Sequence, residues 1–157
     1  MANAAIPPPE VLRRAVTAYN DGRFAEAERL CQAVTATRPD FFDGLLLLAN
    51  IQIKLGRGKE VLATYDRVLA LRPDDAVVLN NRGVILQELK RFDEALASYE
   101  RAIALRPDFA DALYNRGSMF QEFKRLEDSL ASYDRVLAIR SDHAAALHTT
   151  AVSFCTS

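Results

Sequence analysis

The tripeptide Arg-Pro-Asp recurs along the chain at a fixed interval. It begins at Arg38, Arg72 and Arg106, and a fourth copy beginning at Arg140 has serine in place of proline. A fixed period of about 34 residues is typical of an array of supersecondary units. Each such unit must bury its apolar face against its neighbours, so the period constrains the fold more than any single motif does.

Each repeat unit is predicted to contain two helices. Proline cannot continue a helix, so we place Arg-Pro-Asp between helices, with its Arg in the last turn of one and its Asp capping the next. A second break falls at NDGRF, KLGRG, ELKRF and EFKRL. Gly22 and Gly56 can adopt the left-handed conformation that ends a helix, and Lys90 and Lys124 occupy the same position. An arginine follows each break and an acid stands three residues later, which predicts a series of exposed ion pairs.

Small residues stand at fixed positions inside the predicted helices. Gly83 and Gly117 share a column of first helices, and Ala95 and Ser129 share a column of second helices. Glycine inside a helix costs about 1 kcal/mol relative to alanine, so its use there predicts a close approach of two helices. We expect the small residues to face each other, and tyrosines such as Tyr99 to fill the core.

These columns together resemble the tetratricopeptide repeat, a helix-turn-helix unit of about 34 residues whose pattern includes Gly, Ala, an aromatic residue and a final Pro. The segment that starts at Ala76 matches it well, through Gly83, Ala95, Tyr99 and Pro107. The resemblance implies an all-α, right-handed superhelical solenoid of antiparallel helix pairs, with four repeats and one extra C-terminal helix. The repeats are expected at residues 8–41, 42–75, 76–109 and 110–143, with a half repeat at 144–157.

Composition excludes several classes of function. A net charge of −1 provides no long-range attraction for nucleic acid, so no nucleic-acid partner is expected. The longest apolar run, Leu45 to Ile51, is too short to span a bilayer, so no membrane association is expected either. The first residues do not have the pattern of a signal peptide, which favours a cytoplasmic location.

Candidate catalytic and metal-binding residues are sparse. Cys31 and Cys155 belong to no metal or redox spacing. His148 and Cys155 could share a helix face, but no orienting acid accompanies them. We therefore expect no enzymatic activity, no metal and no cofactor.

In tetratricopeptide arrays, first helices line a concave groove that holds a peptide or partner segment. The resemblance therefore implies a protein-interaction scaffold with a protein or peptide partner. The register of the repeats assigns partner-binding positions to Leu46, Leu47, Asn50, Asn80, Asn81, Gln87, Tyr114, Asn115, Ser118 and Gln121. This groove is expected to be apolar toward the N-terminus, rich in amides toward the C-terminus, and poor in charges.

One known use of such grooves is the carboxylate clamp, which grips acidic C-termini with Lys and Arg alongside Asn. The positions of the clamp fall on Leu46, Asn50, Asn81, Asp111 and Asn115. None of these residues is a cation, and Asp111 would repel a carboxylate. A clamp function is therefore not expected.

Asn81 and Asn115 occupy one column, a repeat apart. A side-chain amide offers both donors and acceptors, so it can bond both halves of a peptide unit. The column resembles the asparagine ladder of O-GlcNAc transferases and their SPINDLY-like relatives. That resemblance implies an alternative function, as the substrate-recruiting N-terminal segment of a larger glycosyltransferase. Asparagine at this position can equally bond a neighbouring helix, and the sequence leaves both roles open.

The last segment suggests a third function. Ala144 to Phe154 are predicted to form the first helix of a fifth repeat that lacks its partner helix. An uncovered face of Leu147, Val152 and Phe154 would favour self-association of a scaffold.

Overall fold

A computed structural model describes the backbone of residues 8–155 and the side chains of residues 9–142. All regular structure in this range is helical, and the range contains eight α-helices. They are α1 (Pro8–Asn20), α2 (Phe24–Thr37), α3 (Phe42–Lys54), α4 (Gly58–Leu71), α5 (Ala76–Glu88), α6 (Phe92–Leu105), α7 (Ala110–Glu122) and α8 (Leu126–Cys155). The predicted all-α class is confirmed.

The turns within helix pairs follow the sequence pattern. Gly22, Gly56, Lys90 and Lys124 have φ of 76°, 69°, 61° and 57°, respectively. After α1, the Arg23 N–H donates to the Ala18 carbonyl at 2.8 Å and the Gly22 N–H donates to the Tyr19 carbonyl at 3.0 Å. This pair of hydrogen bonds satisfies the last carbonyls of the helix in the Schellman arrangement. The predicted left-handed residues are confirmed at all four turns, including the two lysines.

The breaks between helix pairs differ from the prediction in two details. Arg72 and Arg106 lie one residue beyond the helices that they follow, not in the last turn. Their guanidinium carbons stand 3.5 Å and 3.6 Å from the ring centroids of Phe42 and Phe109, in a cation–π arrangement.

Capping by the Asp of Arg-Pro-Asp is also wrong, because no side chain caps the start of α3 or α7. At α5 the cap is one residue later than predicted. Asp75 Oδ1 accepts hydrogen bonds from the N–H groups of Val77 and Val78 at 3.1 Å and 3.0 Å.

The last helix runs without interruption from Leu126 to Cys155. The sequence predicts a break near Ser141, but serine keeps the backbone N–H that proline lacks. The hydroxyl of Ser141 also donates to the Leu137 carbonyl at 2.9 Å, which is compatible with a helix interior. The side chains of Leu147, Val152 and Phe154, on which the expected uncovered face depends, lie outside the described residues.

No helix in the described part of the chain, α8 included, combines the length and the apolar character that are needed to cross a membrane.

The chain divides into two compact units, Met1–Val78 and Leu79–Ser157. In the first unit, α1 to α4 pack around a core that includes Ala15, Ala18, Ala27, Cys31, Leu48 and Ile51. In the second unit, the fully buried side chains include Leu86, Tyr99, Leu113 and Met119. Within each unit, a second helix packs on the first helix that follows it, since α2 contacts α3 as well as α1, and α6 contacts α7.

Close helix approach is confirmed at the glycines, and a tyrosine ring that the prediction did not include lies against each of them. A Cβ atom on Gly83 would lie 2.6 Å from Cε1 of Tyr99, and one on Gly117 would lie 2.9 Å from Cε1 of Tyr133. The glycines therefore make room for a tyrosine ring. In the fourth repeat the small residues also face each other as predicted, since the buried Ser129 hydroxyl donates to the Gly117 carbonyl at 2.9 Å.

The predicted ion pairs after each turn are confirmed. They are Arg23–Glu26, Arg57–Glu60, Arg91–Glu94 and Arg125–Asp128, all between exposed side chains. Arg57 also reaches the buried Glu28, whose two carboxylate oxygens accept from its Nη1 at 2.7 Å and 2.9 Å. Exposed pairs of this kind contribute little to stability. Because an acid neutralises each of these arginines, their column does not form a basic binding surface.

Candidate functional site in the second unit

A groove of about 330 Å³ opens between α5 and α7 in the second unit. Its lining residues are Val84, Gln87 and Glu88 of α5, Asn115, Ser118 and Glu122 of α7, Lys90 of the turn after α5, and Tyr99 of α6. The spacings of three and four residues put each set on one face of its helix. The groove thus brings together three of the predicted partner-binding residues, Gln87, Asn115 and Ser118.

The amide of Gln87 is oriented by Tyr99. The fully buried tyrosine donates its hydroxyl proton to Gln87 Oε1 at 3.0 Å. Burial raises the pKa of Tyr99 above its ordinary value, so the hydroxyl remains a donor. This bond fixes the orientation of the Gln87 amide and leaves its NH₂ group as a donor for the groove. Tyr133 donates to Gln121 Oε1 in the same way one repeat later, at 3.4 Å.

The three asparagines form a chain of hydrogen bonds. Asn115 Nδ2 donates to Asn80 Oδ1 at 3.0 Å, and Asn80 Nδ2 donates to Asn81 Oδ1 at 3.4 Å. Asn80 is buried, so it connects α5 with α7 and is not itself a contact surface. Asn115 therefore does bond a neighbouring helix, which was one of its two possible roles. The same bond fixes its amide, and leaves Asn115 Oδ1 as the acceptor for a ligand.

Together the two amides make a matched pair. Gln87 offers a donor and Asn115 offers an acceptor, and both residues line one groove. A peptide unit carries one N–H and one C=O, so this pair is complementary to the backbone of an extended segment. Because both amides are held by other side chains, little orientational freedom is lost on binding.

Charged residues also line the groove, and here the prediction of few charges is wrong. Glu88 and Glu122 end their helices one repeat apart, and Lys90 follows in the turn. The repeat register that assigned the amides could have found the two glutamates as well, since each stands one residue after a glutamine of the groove column. With two acids and one base, this end of the groove favours a cationic group.

The remaining predicted residues have varied environments. Tyr114 is exposed, with its ring centroid 5.5 Å from that of Tyr133. Asn81 is half-buried and Gln121 is exposed.

The other three predicted residues lie on α3 in the first unit. Asn50 is exposed, Leu46 is half-buried, and Leu47 packs against the apolar core. They belong to a different compact unit from the groove between α5 and α7.

The first unit has a larger groove of about 530 Å³, which contains none of the predicted residues. It is lined by Gln32, Thr35, Ala36, Leu48, Gln52, Glu60, Ala63, Thr64 and Arg67. Its polar groups bond one another. Thr64 donates to Gln52 at 2.8 Å, and Arg67 donates to the Thr35 carbonyl at 3.3 Å. We place the candidate site in the second unit because its groove, and not this one, contains the predicted residues Gln87, Asn115 and Ser118.

Helix pairs that recur at a constant period, with a groove lined by first helices, define a helical repeat scaffold. Sequence models of the tetratricopeptide repeat match residues 18–80, 76–109 and 110–143. The chain belongs to the tetratricopeptide repeat family, whose arrays are protein-interaction scaffolds.

Solved structures of MamA share this fold. One has a TM-score of 0.82 at 15% identity, over 87% of this chain and 80% of that chain. The 41-end segment of MamA from Desulfovibrio magneticus RS-1 has a TM-score of 0.80 at 17% identity, over 87% and 77%. MamA from MSR-1 has a TM-score of 0.78 at 19% identity, over 91% and 82%. At these identities the likeness is one of fold. A search of the curated proteins finds no match.

Proposed function

We propose that the chain is a non-catalytic scaffold that binds an extended peptide segment in the groove between α5 and α7. The observation that carries this proposal is the oriented pair of Gln87 and Asn115, one donor and one acceptor in the same groove. Extended peptides are commonly gripped through their main chain, while side-chain pockets supply specificity.

The charges of the groove indicate the chemistry of the partner. Glu88 and Glu122 favour a lysine or arginine side chain near the gripped peptide unit. The exposed ring of Tyr114, on the same helix as Asn115, is available for contact with an apolar or cationic side chain.

A backbone-directed experiment tests this proposal. Peptides selected from a random library on the immobilised protein are resynthesised with single ester bonds, each of which removes one backbone N–H. Affinity is measured by fluorescence polarisation. We expect one ester position to weaken binding to the wild type about tenfold, a loss of about 1.4 kcal/mol. The same ester should have little effect on Asn115→Ala, since the acceptor is already lost.

Two controls make the result specific. Asn20→Ala removes an exposed amide of α1 in the first unit and should leave binding unchanged. Asn81→Ala combined with Asn115→Ala should weaken binding. Circular dichroism must show that the helices of this variant persist, because Asn80 loses both of these hydrogen-bond partners. An ester effect that is equal in the wild type and Asn115→Ala would refute the backbone grip.

A second candidate function is self-association through α8. The observation that favours it is the exposure of Leu126, Leu130 and Leu137 on that helix.

Two finer interpretations remain predictions from the sequence. Substrate recruitment for a larger glycosyltransferase rests on the asparagine column alone, and the reading frame downstream of the gene would test it. A cytoplasmic location is likewise a prediction, which imaging of a tagged full-length protein would check.

A further inference from the structure

Two columns of the second helices are buried or half-buried in the earlier repeats and exposed in the last one. Leu62 of α4 is 5% exposed, whereas Leu130, at the same position of α8, is 61% exposed. Ile103 of α6 is 6% exposed, whereas its counterpart Leu137 is 61% exposed. Leu126 adds a third exposed apolar side chain to α8, at 58%. The last second helix therefore presents apolar surface of a kind that the preceding second helices bury.

The second unit shows what covers such a face. There α7 packs on α6, and its buried residues include Ala112, Leu113 and Phe120. In the sequence, Ala146, Leu147 and Phe154 stand one repeat period after these three. Residues 144–155 therefore have the sequence of a covering first helix. The uninterrupted α8 instead extends them in line with residues 126–142, away from the face that they would cover.

The register of that packing locates a symmetry axis. Phe92 of α6 and Phe123, directly after α7, are in contact, with ring centroids 4.8 Å apart. One repeat period later, the equivalent positions are 126 and 157, so the same antiparallel register would place these two positions side by side. It would also place 130 beside 153, and the midpoint of all such pairs lies between Ser141 and Asp142. With a straight helix at the midpoint, the register can be satisfied only between two copies, related by a two-fold axis at that point.

We propose that two copies of this chain exchange residues 144–155. Each copy lays this segment on Leu126, Leu130 and Leu137 of the other, in a closed antiparallel dimer. The device that allows the exchange is Ser141, which stands where proline breaks the three earlier repeats. Because the chain does not bend at Ser141, residues 144–155 cannot fold back on their own helix and can cover the same face only in another copy.

Head-to-tail stacking of α8 on α1 of another copy does not fit the surface of α1. Arg13, Arg14 and Thr17 are exposed on that helix and line a polar groove together with Arg23 and Glu26. Val16 is the only large apolar side chain exposed on the described part of α1, so this surface offers little cover for the leucines. The contact is therefore expected to close on itself and not to propagate into filaments.

The first test uses the oligomeric state of the full chain, measured by light scattering coupled to size exclusion from micromolar to submillimolar concentration. This proposal rests on the second candidate function above and is independent of the peptide groove. We expect a dimer for the wild type and for Ser141→Ala, which keeps the helix. Ser141→Pro should be monomeric with unchanged helix content, because the segment folds back on its own chain. Leu130→Glu should be monomeric because it places a charge on the covered face.

The second test identifies which copy supplies the segment. Leu130→Cys in one chain and Ser153→Cys in another, both in a Cys31→Ala, Cys155→Ala background, should form a mixed disulfide-linked dimer on oxidation. The doubly substituted chain should cross-link between copies and not within one.

A wild type that is monomeric throughout would overturn both self-association and the exchange. A dimer that persists in Ser141→Pro, or a cross-link that forms within one chain, would overturn the exchange alone.

Discussion

Replacing Gly83 with alanine tests the packing between the two helices of a repeat. The added Cβ would lie 2.6 Å, 2.8 Å and 3.0 Å from Cε1, Cδ1 and Cζ of Tyr99, all closer than an ordinary contact. The ring cannot easily move away, because Tyr99 is fully buried and its hydroxyl is bonded to Gln87. The clash therefore has to be absorbed by strain or by separation of the helices.

The expected cost follows from two opposing effects. Overpacking a close-packed core costs about 1–3 kcal/mol, and alanine gains about 1 kcal/mol over glycine inside a helix. The net loss for Gly83→Ala is therefore up to about 2 kcal/mol. Gly83→Leu adds more volume and should lose more. Gly117→Ala should be milder, because its Cβ would stand 2.9 Å from a tyrosine that is only half-buried and can shift.

A double-mutant cycle isolates this contact. In a Tyr99→Val background the ring atoms near Gly83 are gone, so Gly83→Ala should stabilise the chain by up to about 1 kcal/mol. The free energy of unfolding is measured from urea denaturation followed by far-ultraviolet circular dichroism, with slopes compared to check that the transition is unchanged. We expect a coupling of about 1–3 kcal/mol. A coupling below about 0.5 kcal/mol would show that the ring does not require glycine.

Three further predictions concern stability. Lys124 has a φ of 57°, which glycine adopts with less strain, so Lys124→Gly should raise the thermal midpoint by the equivalent of about 0.5–1 kcal/mol. Gly56→Lys should lower the midpoint for the same reason. Unchanged midpoints in both variants would contradict backbone strain at these turns. Arg57→Ala leaves the buried Glu28 unpaired and should cost about 1–2 kcal/mol in urea, against less than about 1 kcal/mol for the exposed Arg23→Ala. Equal losses for the two arginines would contradict the role of the buried carboxylate. Burial raises the pKa of Cys31 from 9.0 to about 12. As pH rises, the thiol therefore ionises in the unfolded chain before it ionises in the folded one, and the free energy of unfolding falls between about pH 9 and about pH 12. Cys31→Ala should lose less stability over the lower part of that range, and identical losses would refute the burial effect.

Local backbone chemistry made the helix boundaries predictable. The turn position occupied by Gly22 and Gly56 was recognised from glycine, and the register then carried the same left-handed conformation to Lys90 and Lys124. The ion pairs after each turn were predictable for the same reason, because their partners stand three residues apart on one helix. Capping was less predictable, since Asp75 and not Asp74 reaches the free N–H groups of α5.

The side-chain network of the groove could only be predicted in part. The amide columns were found from the register, but not the direction in which each amide points. That direction is set by Tyr99, which stands 12 residues from Gln87, and by Asn80, which stands 35 residues from Asn115. The glutamates that end α5 and α7 follow the same register, but the sequence does not show that side chains at the helix ends also line the groove.

The sequence by itself determined the period, the helix pairs and the family, because proline, glycine and apolar spacing act through the local backbone and the pattern of burial. The tertiary structure decided that Gly83 makes room for a tyrosine and that Gln87 and Asn115 present a donor and an acceptor to one groove. It also decided that α8 continues through Ser141 with its leucines uncovered. These features depend on contacts between helices that are remote along the chain, and no local rule of sequence specifies them.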